Sequence, residues 1–215
     1  MQKDLGNYRK SYHKKELLEE HIPENPLELF QKWFYEIDEM ESAEEPNTMT
    51  ISTLGLDGYP KNRIVLLKKY TYEGFIFYTN YQSEKGKAIA TNPNVCLSLF
   101  WHSIERQVII KGKAEKISEN MSDGYFESRP DGSKLGAIVS PQSQVISSRN
   151  VLEKELKELE SFYEGKEIPR PEHWGGYLVR PVAIEFWQGR PNRLHDRILY
   201  TLQKDLNWNI QRLAP

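Results

Sequence analysis

Apolar residues recur along this chain with two different periods, and the change between them marks its elements. After a polar, weakly periodic stretch over residues 1–24, Leu29, Phe30, Trp33, Phe34, Ile37 and Met40 follow at helical spacing. Asn25 before Pro26 supplies an N-cap and a proline at the first helical position, so an amphipathic helix is predicted to about residue 42. Beyond Glu44-Glu45-Pro46 the period falls to that of strands. Strands are predicted over 48–54, 61–70 and 74–80, with GLDGYP as the first turn. A short helix over 83–93 and strands over 94–101 and 105–117 follow. Helical signals over 119–138 are interrupted by Pro130 and Gly132. After the loop SPQSQVISSRN, a helix over 151–165 carries the stripe Leu152, Leu156, Leu159 and Phe162. The final strands are predicted over 175–180, 182–188, 193–202 and 206–212. Antiparallel strands with helices at their margins indicate an α+β, mainly β, barrel-like domain over 25–215. Residues 1–24 read as a mobile arm or a short helix.

Composition narrows the function classes. With 215 residues, 38% apolar and 28% charged, the chain has the make-up of a soluble globular protein. A net charge of -2 without a like-charge block argues against a nucleic-acid partner. Cys96, the one cysteine, stands in the apolar run VCLSLFW and reads as a small buried hydrophobe. No disulfide can form within one chain, which fits a reducing, cytoplasmic setting. The N-terminal stretch has no apolar h-region, so no secretory signal is expected, and no apolar run is long enough to span a bilayer.

Several chemistries fall away on spacing. None of the five histidines stands at metal-ligand spacing from another, and CxxC and HExxH are absent. There is no GxSxG, no phosphate loop and no GxGxxG, and Cys96 has no activating base. What remains is a set of cations and hydroxyls beside strands, suited to phosphate oxygens: Arg63, Lys68, Tyr78, Thr79, Ser83, Lys85, Arg106 and Gln107. Tyr125 and Arg129, four apart on a predicted helix, share a face, and with Ser133 they form either a phosphate cup or helix-surface decoration. Arg63 and Lys68 bracket IVLLK, which reads as a strand buried on both faces. Their odd separation puts them on opposite faces unless the strand twists or bulges. In RLHDR, strand alternation places Arg193, His195 and Arg197 on one face, the arginines roughly 13 Å apart. Such a face either grips two anionic ligands or is a solvated, salt-bridged surface.

The stretch IEFWQGRPNRLHDR resembles the signature of the pyridoxine/pyridoxamine 5'-phosphate oxidase family, with Glu185, Trp187, Arg193, His195 and Arg197 at its spacing. RIVLLK, FYTN, ERQV, YFESRP, the Ser-Gln-Ser region near Gln142, WGG and the terminal RLAP also resemble that family in order, so the likeness covers nearly the whole chain. The resemblance implies an FMN-binding split β-barrel and a homodimer with flavin at the subunit interface. It further implies oxidation of pyridoxamine 5'-phosphate or pyridoxine 5'-phosphate to pyridoxal 5'-phosphate, with O2 as acceptor. On matching positions, FMN would be bound by the run Arg63, Ile64, Val65, Leu66, Leu67 and Lys68, and by Tyr78, Thr79, Glu84, Lys85, Gln107, Gln142, Ser143, Trp187 and Arg197. Substrate would be held by Lys68, Tyr125, Arg129, Ser133, Arg193 and His195, with Arg9 and Tyr12 of the arm covering it; Arg193 and His195 would carry catalysis. Glu84 departs from relatives with a basic residue there. FMN binding is weakened if that side chain is needed and unchanged if only its backbone is. His195 has a pKa range suited to proton handling, or it serves only as a hydrogen-bond donor.

Overall fold

The computed structural model describes residues 2–40 and 45–215. Helix α1 (Pro26–Asp38) leads into strands β1 (Thr48–Leu54), β2 (Pro60–Leu66), β3 (Lys69–Thr71) and β4 (Gly74–Asn80). Helix α2 (Glu84–Thr91), β5 (Asn94–Trp101) and β6 (Arg106–Lys116) come next, then helices α3 (Glu119–Glu127), α4 (Asp131–Val139) and α5 (Arg149–Phe162). The chain closes with β7 (Trp174–Gln188), β8 (Asp196–Leu202) and β9 (Trp208–Arg212). Among the described residues these strands form one sheet in the order β2-β1-β5-β6-β7-β4-β3, with β8 on β7 and β9 on β8.

The helix starts follow from side-chain caps. Asn25 Oδ1 accepts the Leu27 N–H at 3.0 Å, with Pro26 in the first turn. Ser83 Oγ accepts the Gly86 N–H at 3.2 Å and opens α2. Met40 lies beyond the end of α1 and is exposed; the predicted last turn at 41–42 lies outside the described residues.

Three strand boundaries differ from the sequence pattern. The strand expected over 61–70 stops at Leu66 and resumes at Lys69. That break removes the parity conflict between Arg63 and Lys68. Nor is IVLLK buried on both faces: Ile64 is 66% exposed, on a strand that ends the sheet order. The strands expected over 175–180 and 182–188 are one strand, β7, with Pro181 inside it. The strand expected from residue 193 begins at Asp196. Asn192 and Arg193 have left-handed backbone, φ 57° and 62°, which no extended strand accommodates.

Contacts divide the chain into two units. The first comprises Met1–Thr50, Leu97–Lys111 and Pro181–Pro215. In its core, Trp33 meets Phe186 edge-on at 5.1 Å, and Phe186 meets Tyr200 at 5.7 Å. The register of β7 on β8 runs from Ala183↔Thr201 to Gln188↔Asp196. Arg106 is buried with its guanidinium 4.3 Å over Trp33, and it donates to Gln188 Oε1 at 2.9 Å and Glu36 Oε2 at 2.8 Å. A buried cation is tolerated because those donors are satisfied. The N-terminal segment is fastened by side chains. Buried Glu105 accepts the N–H groups of His13 and Lys14 at 2.9 and 3.1 Å, and Asp196 accepts that of Leu17 at 3.0 Å. Arg212 donates to Leu17 O and to both carboxylate oxygens of Glu19, holding the Glu19 carboxyl down to about 2.

The second unit comprises Ile51–Cys96 and Gly112–Arg180. There β4 pairs with β3 and with β7 from Phe75↔Val179 to Asn80↔Trp174. Phe126, Leu135, Ile168 and Trp174 form a buried cluster on which Leu156 and Leu159 of α5 pack. Phe162, the last member of the predicted α5 stripe, is exposed.

Candidate functional site

The candidate residues fall into two groups, one in each unit. The second unit contains a cavity of about 460 Å³ lined by Ile64, Val65, Leu66, Lys68, Tyr78, Thr79, Asn80, Lys85, Tyr125, Arg129, Ser133 and Gln142, with Gly136, Ala137, Ser140 and Trp174. That volume lies within the usual range for small-molecule sites.

One end of this group is cationic. Lys85 is buried, and its Nζ donates to Thr79 Oγ1 at 2.9 Å and Gln142 Oε1 at 3.2 Å. Burial, reinforced by the Arg63 charge, pushes its pKa down to about 8 against the opposing Glu84 carboxylate. Arg63 spends Nη1 on Thr53 Oγ1 and Lys61 O. Its Nη2 lies 3.2 Å from Glu84 Oε2 but is buried without a hydrogen bond. Glu84 receives Lys61 Nζ at 2.6 Å on each oxygen, and this contact, helped by Arg63, holds its carboxyl below the usual range.

The other end is an aromatic shelf with a second cation. Tyr78 and Tyr125 stack at 3.8 Å, and Trp174 lies nearly parallel to both at 5.6 and 6.2 Å. The Arg129 guanidinium sits 4.5 Å over Trp174, and its buried Nη1 has no hydrogen-bond partner. Burial lowers its pKa. Arg129 follows the end of α3 instead of sharing the helix with Tyr125, because the chain turns at Ser128 and Pro130 to start α4. Tyr125, Arg129 and Ser133 line one cavity nonetheless.

The first unit carries the other group. Trp187 lies 4.7 Å from the His195 ring, and Tyr12 meets both edge-on at 5.7 and 5.8 Å. Gly189 makes this possible: a Cβ there would meet the Tyr12 ring at 2.8 Å. The Arg190 N–H donates to His195 Nδ1 at 3.1 Å. Burial, then the Arg193 charge, lowers the His195 pKa, while Asp196 opposes. Arg197 donates Nε to Glu185 Oε1 at 2.8 Å and Nη1 to Ala214 O at 2.8 Å. Arg193 is exposed in the turn before β8, not on a strand face shared with Arg197.

Other expected residues stand elsewhere. Arg9 is exposed, and its side chain donates to Gly6 O at 3.1 Å within the same segment. Ser143 is exposed with φ 74° and does not line the cavity, and Leu67 is buried in the core. Gln107 spends its amide on Ser98 Oγ at 3.1 Å. Asn80, Ser140 and Trp174 line the cavity without having been singled out as site residues. The two glycines after Trp174 were the one available signal, since Tyr78 and Tyr81 pack where their Cβ atoms would stand.

No group of three or more His, Cys, Asp or Glu able to hold a metal occurs among the described residues. No described helix is long and apolar enough to cross a membrane. The guanidinium nitrogens of Arg63 and Arg129 that make no hydrogen bond, the buried Lys85 and the flat aromatic shelf fit a phosphorylated, ring-containing ligand such as a flavin mononucleotide.

Residues 37–163 match the family model described as pyridoxamine 5'-phosphate oxidase, and residues 174–215 match that of the pyridoxine 5'-phosphate oxidase C-terminal dimerisation region. Curated relatives named pyridoxine/pyridoxamine 5'-phosphate oxidase include one from Flavobacterium psychrophilum, 68% identical over 99% of this chain and 100% of that one. Another, from Christiangramia forsetii, is 56% identical over the full length of both. Among solved structures, PhzG from Burkholderia lata 383, in complex with tetrahydrophenazine-1-carboxylic acid, superposes with a TM-score of 0.85 at 26% identity over 91% of this chain and 95% of that one. A pyridoxamine 5'-phosphate oxidase-related, FMN-binding protein from Nostoc punctiforme shares the fold at a TM-score of 0.70 and 15% identity, over 90% of this chain and 100% of that one. These likenesses bear out the expected α+β, mainly β, split-barrel class.

Proposed function

Since this chain belongs to the pyridoxamine 5'-phosphate oxidase family of oxidoreductases, we propose that it is an FMN-dependent oxidase forming pyridoxal 5'-phosphate in vitamin B6 salvage. Pyridoxamine 5'-phosphate, O2 and water would give the aldehyde, ammonia and H2O2; pyridoxine 5'-phosphate and O2 would give the aldehyde and H2O2. The observation that carries this reading is a pair of buried guanidinium nitrogens that make no hydrogen bond, Arg63 Nη2, which has only its ion pair with Glu84, and Arg129 Nη1. Two phosphate esters, one on the cofactor and one on the vitamer, are the ligands that would satisfy both.

When bound, FMN supplies the hydride acceptor and the route of electrons to O2. Lys85 and Arg63 would hold its phosphate, with Thr79 and Gln142 releasing Lys85 to do so. Backbone and side chains of 64–66 and Lys68 would border its ring. Arg129, Ser133, Tyr125 and Lys68 would hold the vitamer phosphate, with the Arg129 guanidinium lying over the Trp174 ring. Arg197, kept cationic by Glu185, would favour the electron-rich reduced ring. Arg193 and His195 would close on the vitamer, with Trp187 and Tyr12 packing beside them. The proposed molecule is a homodimer, in which the second subunit's Arg193–Arg197 segment completes each cavity; the match of 174–215 to a dimerisation region supports it.

The test is oxygen uptake and aldehyde formation on adding pyridoxamine 5'-phosphate to the FMN-loaded protein. A protein that holds FMN but consumes no oxygen with either vitamer would instead be a split-barrel flavoprotein with another substrate.

A further inference from the structure

The hydrogen bond between residues 190 and 195 determines the state of the histidine. Asn192 and Arg193, both left-handed at φ 57° and 62°, reverse the chain within PNR and bring the Arg190 N–H onto His195 Nδ1 at 3.1 Å. A backbone N–H can only donate, so Nδ1 must present its lone pair. The neutral ring then carries its one proton on Nε2. The other neutral tautomer, and the doubly protonated ring, would set N–H against N–H. The charged groups around the ring do not offset this. The Arg193 cation opposes protonation. Asp196 favours it, but its oxygens are engaged by the Leu17 N–H, by Arg212 at 2.8 Å and by the Arg190 guanidinium at 3.6 Å. The two other neighbours, Trp187 and Tyr12, present rings.

We propose that the Arg190 peptide fixes His195 as the Nε2–H tautomer, so that this side chain serves as a neutral hydrogen-bond donor through Nε2 and accepts no proton from the substrate. Accepting one at Nε2 is blocked by the proton already there, and relaying it through Nδ1 is blocked by the peptide. Arg190 is thereby a positioning residue that acts through its backbone. The catalytic consequence rests on the oxidase reading given above; the tautomer does not.

The deciding experiment is ¹⁵N NMR of histidine-labelled holoprotein at about neutral pH. Expected are a bare Nδ1 on His195, a proton on Nε2 and a scalar coupling across the hydrogen bond to the Arg190 amide nitrogen. Arg190→Ala, which keeps the N–H, should leave all three unchanged. A proton on Nδ1, an even mixture of tautomers or an imidazolium would overturn the proposal, whatever the substrate proves to be. In kinetics, His195→Gln keeps an N–H near the Nε2 position without a basic nitrogen. It should retain kcat/KM within about tenfold and keep the native pH profile, while His195→Leu falls at least about tenfold further. Equal losses in the two variants, or a pH limb missing only from the Gln variant, would refute the donor role.

Discussion

Lys85 meets its candidate ligand with a proton that burial has loosened. Its pKa near 8 means that the ammonium form, which a phosphate needs, prevails below that pH and gives way to the amine above it. Phosphate binding raises that pKa, so proton uptake accompanies binding. FMN affinity should be flat up to about pH 8 and then fall by up to about tenfold per pH unit. Flavin fluorescence quenching from about pH 7 to about 9.5 reads this directly, and Lys85→Met should remove the slope. The two arginines of the candidate site should also separate. Arg129→Ala is expected to lower kcat/KM for the vitamer by roughly 10- to 150-fold while FMN stays bound, since one charge-assisted contact contributes about 1.5–3 kcal/mol. Arg197→Ala should weaken flavin retention and lower turnover at saturating vitamer. Loss of FMN from the Arg129 variant, with normal turnover in the Arg197 variant, would reverse the assignment.

Elements were legible where one period runs unbroken. The stretches 48–54, 74–80 and 94–101 alternate or stay apolar between clear turns, and β1, β4 and β5 have those bounds. The Asn25-Pro26 start of α1 and the Ser83 cap of α2 were legible because capping is local chemistry. RLHDR misled for a physical reason. Alternating cations mimic a strand face, yet two consecutive non-glycine residues take left-handed backbone there, and no periodicity reports that. IVLLK misled because apolar character does not say whether a second layer covers a strand; Ile64 faces outward on β2. Tyr125, Arg129 and Ser133 were grouped correctly on a wrong premise, since a turn and not a shared helix face brings them to the cavity. Trp174, quoted within WGG, was given no site role because that role depends on Tyr78, almost a hundred residues earlier in sequence.

The whole molecule divides its chemistry. One unit holds the cavity and the other the Arg193–Arg197 segment. If each subunit lends that segment to its partner, assembly and activity are inseparable. Light scattering on the FMN-loaded protein should give about twice the 25.2 kDa chain mass. A fully active monomer would contradict the arrangement. The fastened N-terminal segment carries a further consequence, for degradation. Lysine-rich ends are ordinarily the first place a protease cuts, because it must draw an extended stretch of chain into its cleft. Here the amides of His13, Lys14 and Leu17 are held by carboxylates, and Arg212 grips Leu17 and Glu19. Brief trypsin treatment should therefore clip after Lys3 and Arg9 and spare the bonds after Lys14 and Lys15. Glu105→Gln, which weakens the hold on two of those amides, should open the spared bonds to digestion.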